Sequence, residues 1–294
     1  MPSFQLTPEE LALLPDDADV ASYEENGYYI SKEGVVPDAV IDAAHEGSHR
    51  FYEGERDSVL PFDTGFSNWK KEDGDGQRNN EFVSLQKKEL YALATQTLLG
   101  AIAARLTRSK SIRLLDDQLI YKPSKAGDAS STVTGWHADR AYWGTCSSDN
   151  LTTAWVPLHS VGVTQSPLVI MAGSHKWEGL QDVRFFNHQS LTELQEKFRE
   201  QGREVRVVAM TLKKGQVSFH HGWTIHGSYA NTSGQPRLSY AVHLQDGANH
   251  YRPFTNAQGR EIHIFDEKLC RKLPSGEPDF SDPSVFPTIW SEEA

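Results

Sequence analysis

The sequence predicts a mainly β protein with flanking helices, and three features predict it. From Ile112 onward, short β-rich runs alternate with turn signals: Asp117–Tyr121, Thr152–Leu158, Pro167–Met171, Glu204–Ala209, Gln216–His220 and Leu238–His243. Many short strands at such spacing favour a sandwich or barrel over a parallel sheet with crossover helices. The first 110 residues read instead as helices with polar interruptions. No internal repeat, low-complexity tract or linker divides the chain. Residues 1–294 are therefore expected to form one domain, with a helical part to about 110, a β core over about 111–245 and a cover over 246–294.

Each element has a local reason. Thr7-Pro8-Glu9-Glu10 reads as a helix start, with a Thr cap, Pro in the first turn and acids at the positive helix end. Tyr28-Tyr29-Ile30 is a short β-rich piece. Pro37 to Glu53 is expected to be helical, with Val36, Val40, Ile41 and Ala44 as its apolar face. Asp63 to Asn80 is rich in Gly, Asp, Asn and Lys and reads as a long loop, a type that often carries function. Leu85 to Arg105 reads as one helix, and Leu191 to Gln201 as a helical insertion.

Composition excludes several classes. Forty acidic against 29 basic residues give a formal net charge of −11, which disfavours nucleic acid or an anionic membrane as the main partner. A small molecule is the expected partner. The two cysteines, Cys146 and Cys270, form no CxxC pattern, so neither a disulfide framework nor a Cys-based zinc site is expected. No apolar run approaches the ~18 residues needed to span a bilayer. The expected location is the cytoplasm.

The chemistry is carried by Gly135-Trp136-His137-Ala138-Asp139. On a strand, residues two apart point to one side, so His137 and Asp139 would present a nitrogen and an oxygen to a common point. Two His and one carboxylate on one face of a metal leave three open positions, an arrangement suited to Fe(II), a co-substrate and O2. An HxD triplet alone is a weak signal. The third ligand is sought in Gln216–Ser228, and His226 is the candidate. Arg237 stands eleven residues later. Its planar fork suits a carboxylate and keeps its charge, although a lone Arg is more often in a surface ion pair.

HxD, a distal His and Arg eleven residues later resemble the phytanoyl-CoA dioxygenase family of Fe(II)/2-oxoglutarate oxygenases. Gln165-Ser166-Pro167-Leu168-Val169-Ile170-Met171-Ala172-Gly173-Ser174-His175-Lys176 is similar to that family's GPL-x-V-x-PGSHK segment. Asn26-Gly27-Tyr28-Tyr29-Ile30 and Asn231 also fit. The resemblance implies a double-stranded β-helix, a cupin-like jelly roll with iron at its open end. It implies His137, Asp139 and His226 as iron ligands, and 2-oxoglutarate held by Arg237, Ser228, Trp155 and Gln118. Two positions depart from the family pattern: Ala138 replaces a common Gln, and Ala172 a usual Pro.

Tyr142 and Trp143 follow the metal turn and are expected to face substrate or to fill core. His220 would share a face with Gly222, Thr224 and His226 along one alternating strand. It would then line the pocket or support a ligand. Lys122 reads as solvent-facing or as a contact of co-substrate or substrate, and His175 as structural. His159, His188, His243 and His250 have no partner at metal spacing. The implied reaction oxidises a C–H bond with succinate and CO2 as co-products. Two other readings stay open: a non-catalytic jelly-roll binding protein, and a zinc hydrolase using the same two His and one Asp.

Overall fold

The computed structural model describes residues 4–63, 69–74, 76–124, 132–188 and 190–292. Its elements run α1 (Pro8–Leu11), α2 (Asp17–Asn26), β1 (Tyr28–Ile30), α3 (Asp38–Tyr52), β2 (Arg78–Glu81), α4 (Lys88–Ala94), α5 (Thr97–Thr107), β3 (Ser111–Lys122), β4 (Thr134–His137), β5 (Thr152–Pro157), β6 (Val169–Met171), α6 (Leu191–Glu200), β7 (Val207–Ala209), β8 (Ser218–His221), β9 (His226–Ser228), β10 (Arg237–Asp246), β11 (Phe254–Thr255), β12 (Glu261–Ile262), α7 (Asp266–Leu269) and β13 (Thr288–Ser291). The larger sheet runs β1-β8-β5-β10-β3-β13, with β2 also on β3, and the smaller β4-β9-β6-β7. All of these pairings are antiparallel. Residues of both sheets line one narrow interior cavity. This is the expected double-stranded β-helix, with helices outside.

Strand β10 shows how the sequence builds it. Leu238, Tyr240, Val242 and Leu244 point outward into a core with Ile41, Leu99 and Ile102 of α3 and α5. Each aliphatic side chain buried this way stabilises by about 1.5–3 kcal/mol. The alternate residues Arg237, Ala241 and His243 point inward to the cavity. A charged and a titratable side chain thus sit inside the barrel because the period-2 pattern leaves them no other face. On the smaller sheet, α6 packs Leu191, Leu194 and Phe198 against Trp136, Val169, Met171 and Ile225.

Several expectations are corrected. The helix read over Leu85–Arg105 is two helices. The Thr95 hydroxyl donates to the Tyr91 carbonyl at 2.7 Å, and Gln96 turns extended to start α5. Part of the loop read over Asp63–Asn80 is strand: β2 pairs with β3, setting Arg78 opposite Tyr121 and Glu81 opposite Gln118. The Arg78 guanidinium lies 4.1 and 4.2 Å from the ring centres of Trp69 and Tyr121, which anchors this polar strand. Residues 64–68 and 75 of that stretch lie outside the described residues. His220 and His226 do not share a strand, since β8 and β9 belong to different sheets. Among the described residues, no helix is long and apolar enough to cross a membrane.

Candidate metal centre

His137 is the last residue of β4, and His226, the first of β9, is its register partner. Gly227 permits that pairing, since a Cβ there would lie 2.6 Å from the Thr134 carbonyl, and Gly135 lets the 185–188 segment close on β4, where a Cβ would run into the Phe185 carbonyl. Asp139 does not continue the strand as expected. It opens a 3-10 turn, Asp139–Ala141, so the turn rather than strand alternation aims its carboxylate inward. One donor atom each from His137, Asp139 and His226 lies within 4.8 Å of the others, and all three residues are buried. The Asp139 carboxylate Oδ1 is 3.3 Å from His226 Nε2 and 3.7 Å from His137 Nε2.

Hydrogen bonds fix which ring nitrogens face that point. His137 Nδ1 is 2.8 Å from the Gly135 carbonyl, and His226 Nδ1 is 2.9 Å from the Thr224 carbonyl. A carbonyl oxygen only accepts, so each Nδ1 carries the hydrogen. In its neutral form each ring then turns a lone pair on Nε2 inward, the form that ligates a metal. Burial and the neighbouring His226 pull His137 down to about 3. Burial acts the same way on His226, but the Asp139 charge outweighs it and holds that ring above its ordinary value. Burial opposes ionisation of Asp139, yet the His226 charge and bonds from His220 and His226 keep it well below the usual carboxylate range.

The second carboxylate oxygen is held from behind. The Thr153 hydroxyl donates to Asp139 Oδ2 at 2.7 Å and accepts from His243 Nδ1 at 2.8 Å. His220 Nε2 lies 3.2 Å from the same oxygen. These residues form a row across the larger sheet, with Asp116 opposite His243, His243 opposite Thr153, and Thr153 opposite His220. Sequence reasoning left His243 without a partner and did not single out Thr153. Their link to Asp139 exists only through strand register. His220 takes the supporting role and also lines the narrow cavity. Thr153→Val is expected to weaken Fe(II) binding about 10–100-fold. It should also cost about 1–3 kcal/mol of stability, because two buried groups lose their partner. A chelator-competition titration and a denaturant melt read the two effects.

A second polar site lies farther in. Arg237 is 2% exposed, its Nε has no hydrogen-bond partner among the described residues, and burial pulls it down to about 9. Its guanidinium lies 5.6 Å from the ring centre of Trp155, whose buried Nε1 also has no partner among the described residues. Arg237 pairs in register with Lys122. Lys122 is therefore not solvent-facing but fully buried, donating to the Thr132 carbonyl at 2.7 Å and to the Ser228 hydroxyl. Burial, then Arg237, pushes Lys122 well below its ordinary value. Among the described residues neither cation faces a carboxylate. Two buried basic groups without a counter-charge are costly unless an anion joins them.

Toward solvent the metal point opens into a cavity of about 290 Å3, lined by Gln118, Tyr142 and Trp143 among others. Gln118 lines both cavities and donates to Glu81 Oε1 at 3.2 Å. His221 stays outside, its Nδ1 accepting from the Trp223 backbone N–H at 3.1 Å. His175 fills its structural part, 3.1 Å from the Glu24 carbonyl. The Ala172 backbone N–H donates to the Arg206 carbonyl at 2.8 Å, a bond that Pro could not make. Ala138 is fully buried, and its N–H donates to the Val183 carbonyl at 3.1 Å.

The sequence profile of the phytanoyl-CoA dioxygenase family matches residues 23–239. The chain belongs to this family. The family takes its name from a dioxygenase. The chain is 25% identical over 245 residues to human peroxisomal phytanoyl-CoA dioxygenase, covering 78% of this chain and 68% of that protein. It is 29% identical over 140 residues to a Caenorhabditis briggsae phytanoyl-CoA dioxygenase domain-containing protein 1 homolog, covering 46% and 47%. The chain thus spans about half the length of several curated relatives it matches. In structure it is similar to the α-ketoglutarate-dependent carbocyclase SnoK from nogalamycin biosynthesis, with a TM-score of 0.68, 22% identity and coverage of 93% and 96%. The epimerase SnoN, solved with Fe3+, α-ketoglutarate and nogalamycin RO, gives a TM-score of 0.65 at 25% identity, covering 95% and 99%. EctD from S. alaskensis, solved with 2-oxoglutarate and 5-hydroxyectoine, gives 0.67 at 18% identity, covering 94% and 89%.

Proposed function

We propose that this family member oxidises a C–H bond of a small molecule with Fe(II), 2-oxoglutarate and O2, releasing succinate and CO2. One observation carries the reading. Three convergent metal donors stand beside a buried guanidinium that lacks a counter-ion among the described residues. His137 Nε2, His226 Nε2 and Asp139 Oδ1 would hold the iron. Bound iron, with 2-oxoglutarate and O2, supplies the oxidising power.

The protein's own groups bind and orient. Arg237 would pair with the distal carboxylate of 2-oxoglutarate, with Trp155 and Gln118 along the walls. The Ser228 hydroxyl accepts from Lys122, so its own hydrogen is free to donate to that carboxylate. Lys122 thereby orients Ser228 and adds positive charge beside Arg237. Thr153 and His220 hold Asp139 by its other oxygen, which keeps Oδ1 turned to the metal. Substrate would enter by the outer cavity, beside Tyr142 and Trp143. We further propose that residues 1–294 act as one domain. Both cysteines are buried free thiols, which supports a reducing compartment.

A zinc hydrolase could share the metal donors but has no use for Arg237, Lys122 and Ser228 behind them. A binding protein that lost turnover would keep all six and form no succinate. The deciding experiment incubates protein with Fe(II), 2-oxoglutarate and a metabolite library, with and without O2. Succinate that needs both Fe(II) and O2, and rises with one compound, supports the proposal. Metal-dependent hydrolysis without O2 would replace it with the zinc reading, and no turnover with any compound would favour the binding protein.

A further inference from the structure

The outer cavity is acceptor-rich on one wall. Asp116 and His243 are register partners on β3 and β10, so both side chains enter the barrel. Asp116 is 6% exposed, and its carboxylate accepts one bond, from the Asp117 backbone N–H at 2.6 Å. Among the described residues no side-chain donor reaches it. His243 commits Nδ1 to Thr153, which leaves Nε2 as an acceptor. Glu81 adds a second carboxylate to the same wall. Burial, together with the charges of Asp266, Glu81 and Asp117, pushes the Asp116 carboxyl well up. Such a group is short of positive charge. Among the described residues, the one arginine or lysine of the lining, Arg184, is exposed and rests 5.5 Å from the Tyr142 ring centre. Trp143, 4.9 Å from His243 between ring centres, supplies an aromatic wall.

We infer that the substrate of this site is an organic amine, its ammonium group bound between Asp116 and Glu81 beside Trp143. The inference rests on the oxygenase reading for its reaction and on the cavity alone for its ligand. A buried carboxylate without a counter-charge favours a cation, and an indole face adds attraction for an ammonium. The cavity of about 290 Å3 suits a small organic molecule and opens onto His137 and Asp139. A bound amine would therefore have its carbon atoms next to the metal point.

The test titrates three probes into Fe(II)- and 2-oxoglutarate-loaded protein under anaerobic conditions, by calorimetry. The probes are trans-1,4-diaminocyclohexane, trans-1,4-cyclohexanediol and cyclohexanecarboxylate. The diamine is expected to bind at least tenfold more tightly than the diol, and the carboxylate not at all. Asp116→Asn should reduce the preference for diamine about tenfold, and Asp116→Glu should largely keep it. Melting temperatures confirm that both variants fold, and the wild-type ranking stands without them. Equal or tighter binding of the diol or carboxylate would overturn the inference, as would a diamine that does not bind or an Asn variant with full preference. The optical band of the iron–2-oxoglutarate complex is followed separately. If it fails to form, the oxygenase reading falls, and the same titration of metal-free protein still decides whether the cavity selects amines.

Discussion

Asp139→Gly is expected to abolish substrate-coupled succinate formation and to make the iron site responsive to chloride. The carboxylate supplies one metal donor and one negative charge. Its loss leaves a fourth open position and raises the charge of the site by one unit. The groups behind it remain: the Thr153 hydroxyl and His220 Nε2, now 2.7 and 3.2 Å from the place the Oδ2 oxygen occupied. His220 is neutral near pH 7, because burial and His226 pull it to about 4, so its Nε2–H can still donate. A small anion would meet both donors and the open metal position. The checks are coupled turnover at matched iron occupancy and the iron optical spectrum with and without chloride. Near-wild-type turnover would remove Asp139 from the metal. Asp139→Glu should be almost as inactive, since an added methylene moves the oxygen by about a bond length and such sites are sensitive to ~1 Å.

Arg237→Met is expected to weaken 2-oxoglutarate binding by about 2–5 kcal/mol, a factor of roughly thirty to several thousand. Fe(II) affinity without co-substrate should hardly move. The ligand-free variant should also be at least as stable as wild type. Arg237 is a fully enclosed cation with no counter-charge among the described residues, and an apolar side chain of similar length avoids the cost of burying it. This opposite movement of stability and affinity separates a ligand-binding arginine from a structural one. Calorimetry of 2-oxoglutarate binding and a thermal melt of ligand-free protein measure the two quantities. An unchanged 2-oxoglutarate affinity would remove Arg237 from the site, and a large loss of stability would mark it as structural.

The triad residues and Arg237 were legible in the sequence because their chemistry is rare and their spacing is short. HxD lies within three positions, and His226 and Arg237 eleven apart. The fold class was legible from turn-bounded β-rich runs. The support of the site was not. Thr153, His243 and Asp116 meet only because β5, β10 and β3 pair in one register, across separations of up to 127 residues. Lys122 could have been placed by alternation from Gln118, through Ile120, onto the inner face of β3. Strand β2 hid in a polar stretch, since Arg78-Asn79-Asn80-Glu81 has little intrinsic strand preference. It forms because β3 offers an edge and the rings around Arg78 hold it there. The Asp139 turn was missed for a related reason. Alternation explains two residues on one side of a strand, but here the strand ends at His137 and a 3-10 turn does the aiming.

The most direct test of the metal and co-substrate assignment is an anaerobic optical titration of 2-oxoglutarate into Fe(II)-loaded protein. Chelation of iron by the keto acid gives a visible charge-transfer band. The account predicts that wild type develops this band at one equivalent per iron. Arg237→Met should need far more 2-oxoglutarate to reach it, and His226→Ala, which lacks an iron donor, should not form it. His221→Ala, altered outside the site, should match wild type. A wild-type protein that binds Fe(II) yet forms no band, or a His226→Ala variant with the wild-type band while His221→Ala loses it, would contradict the account.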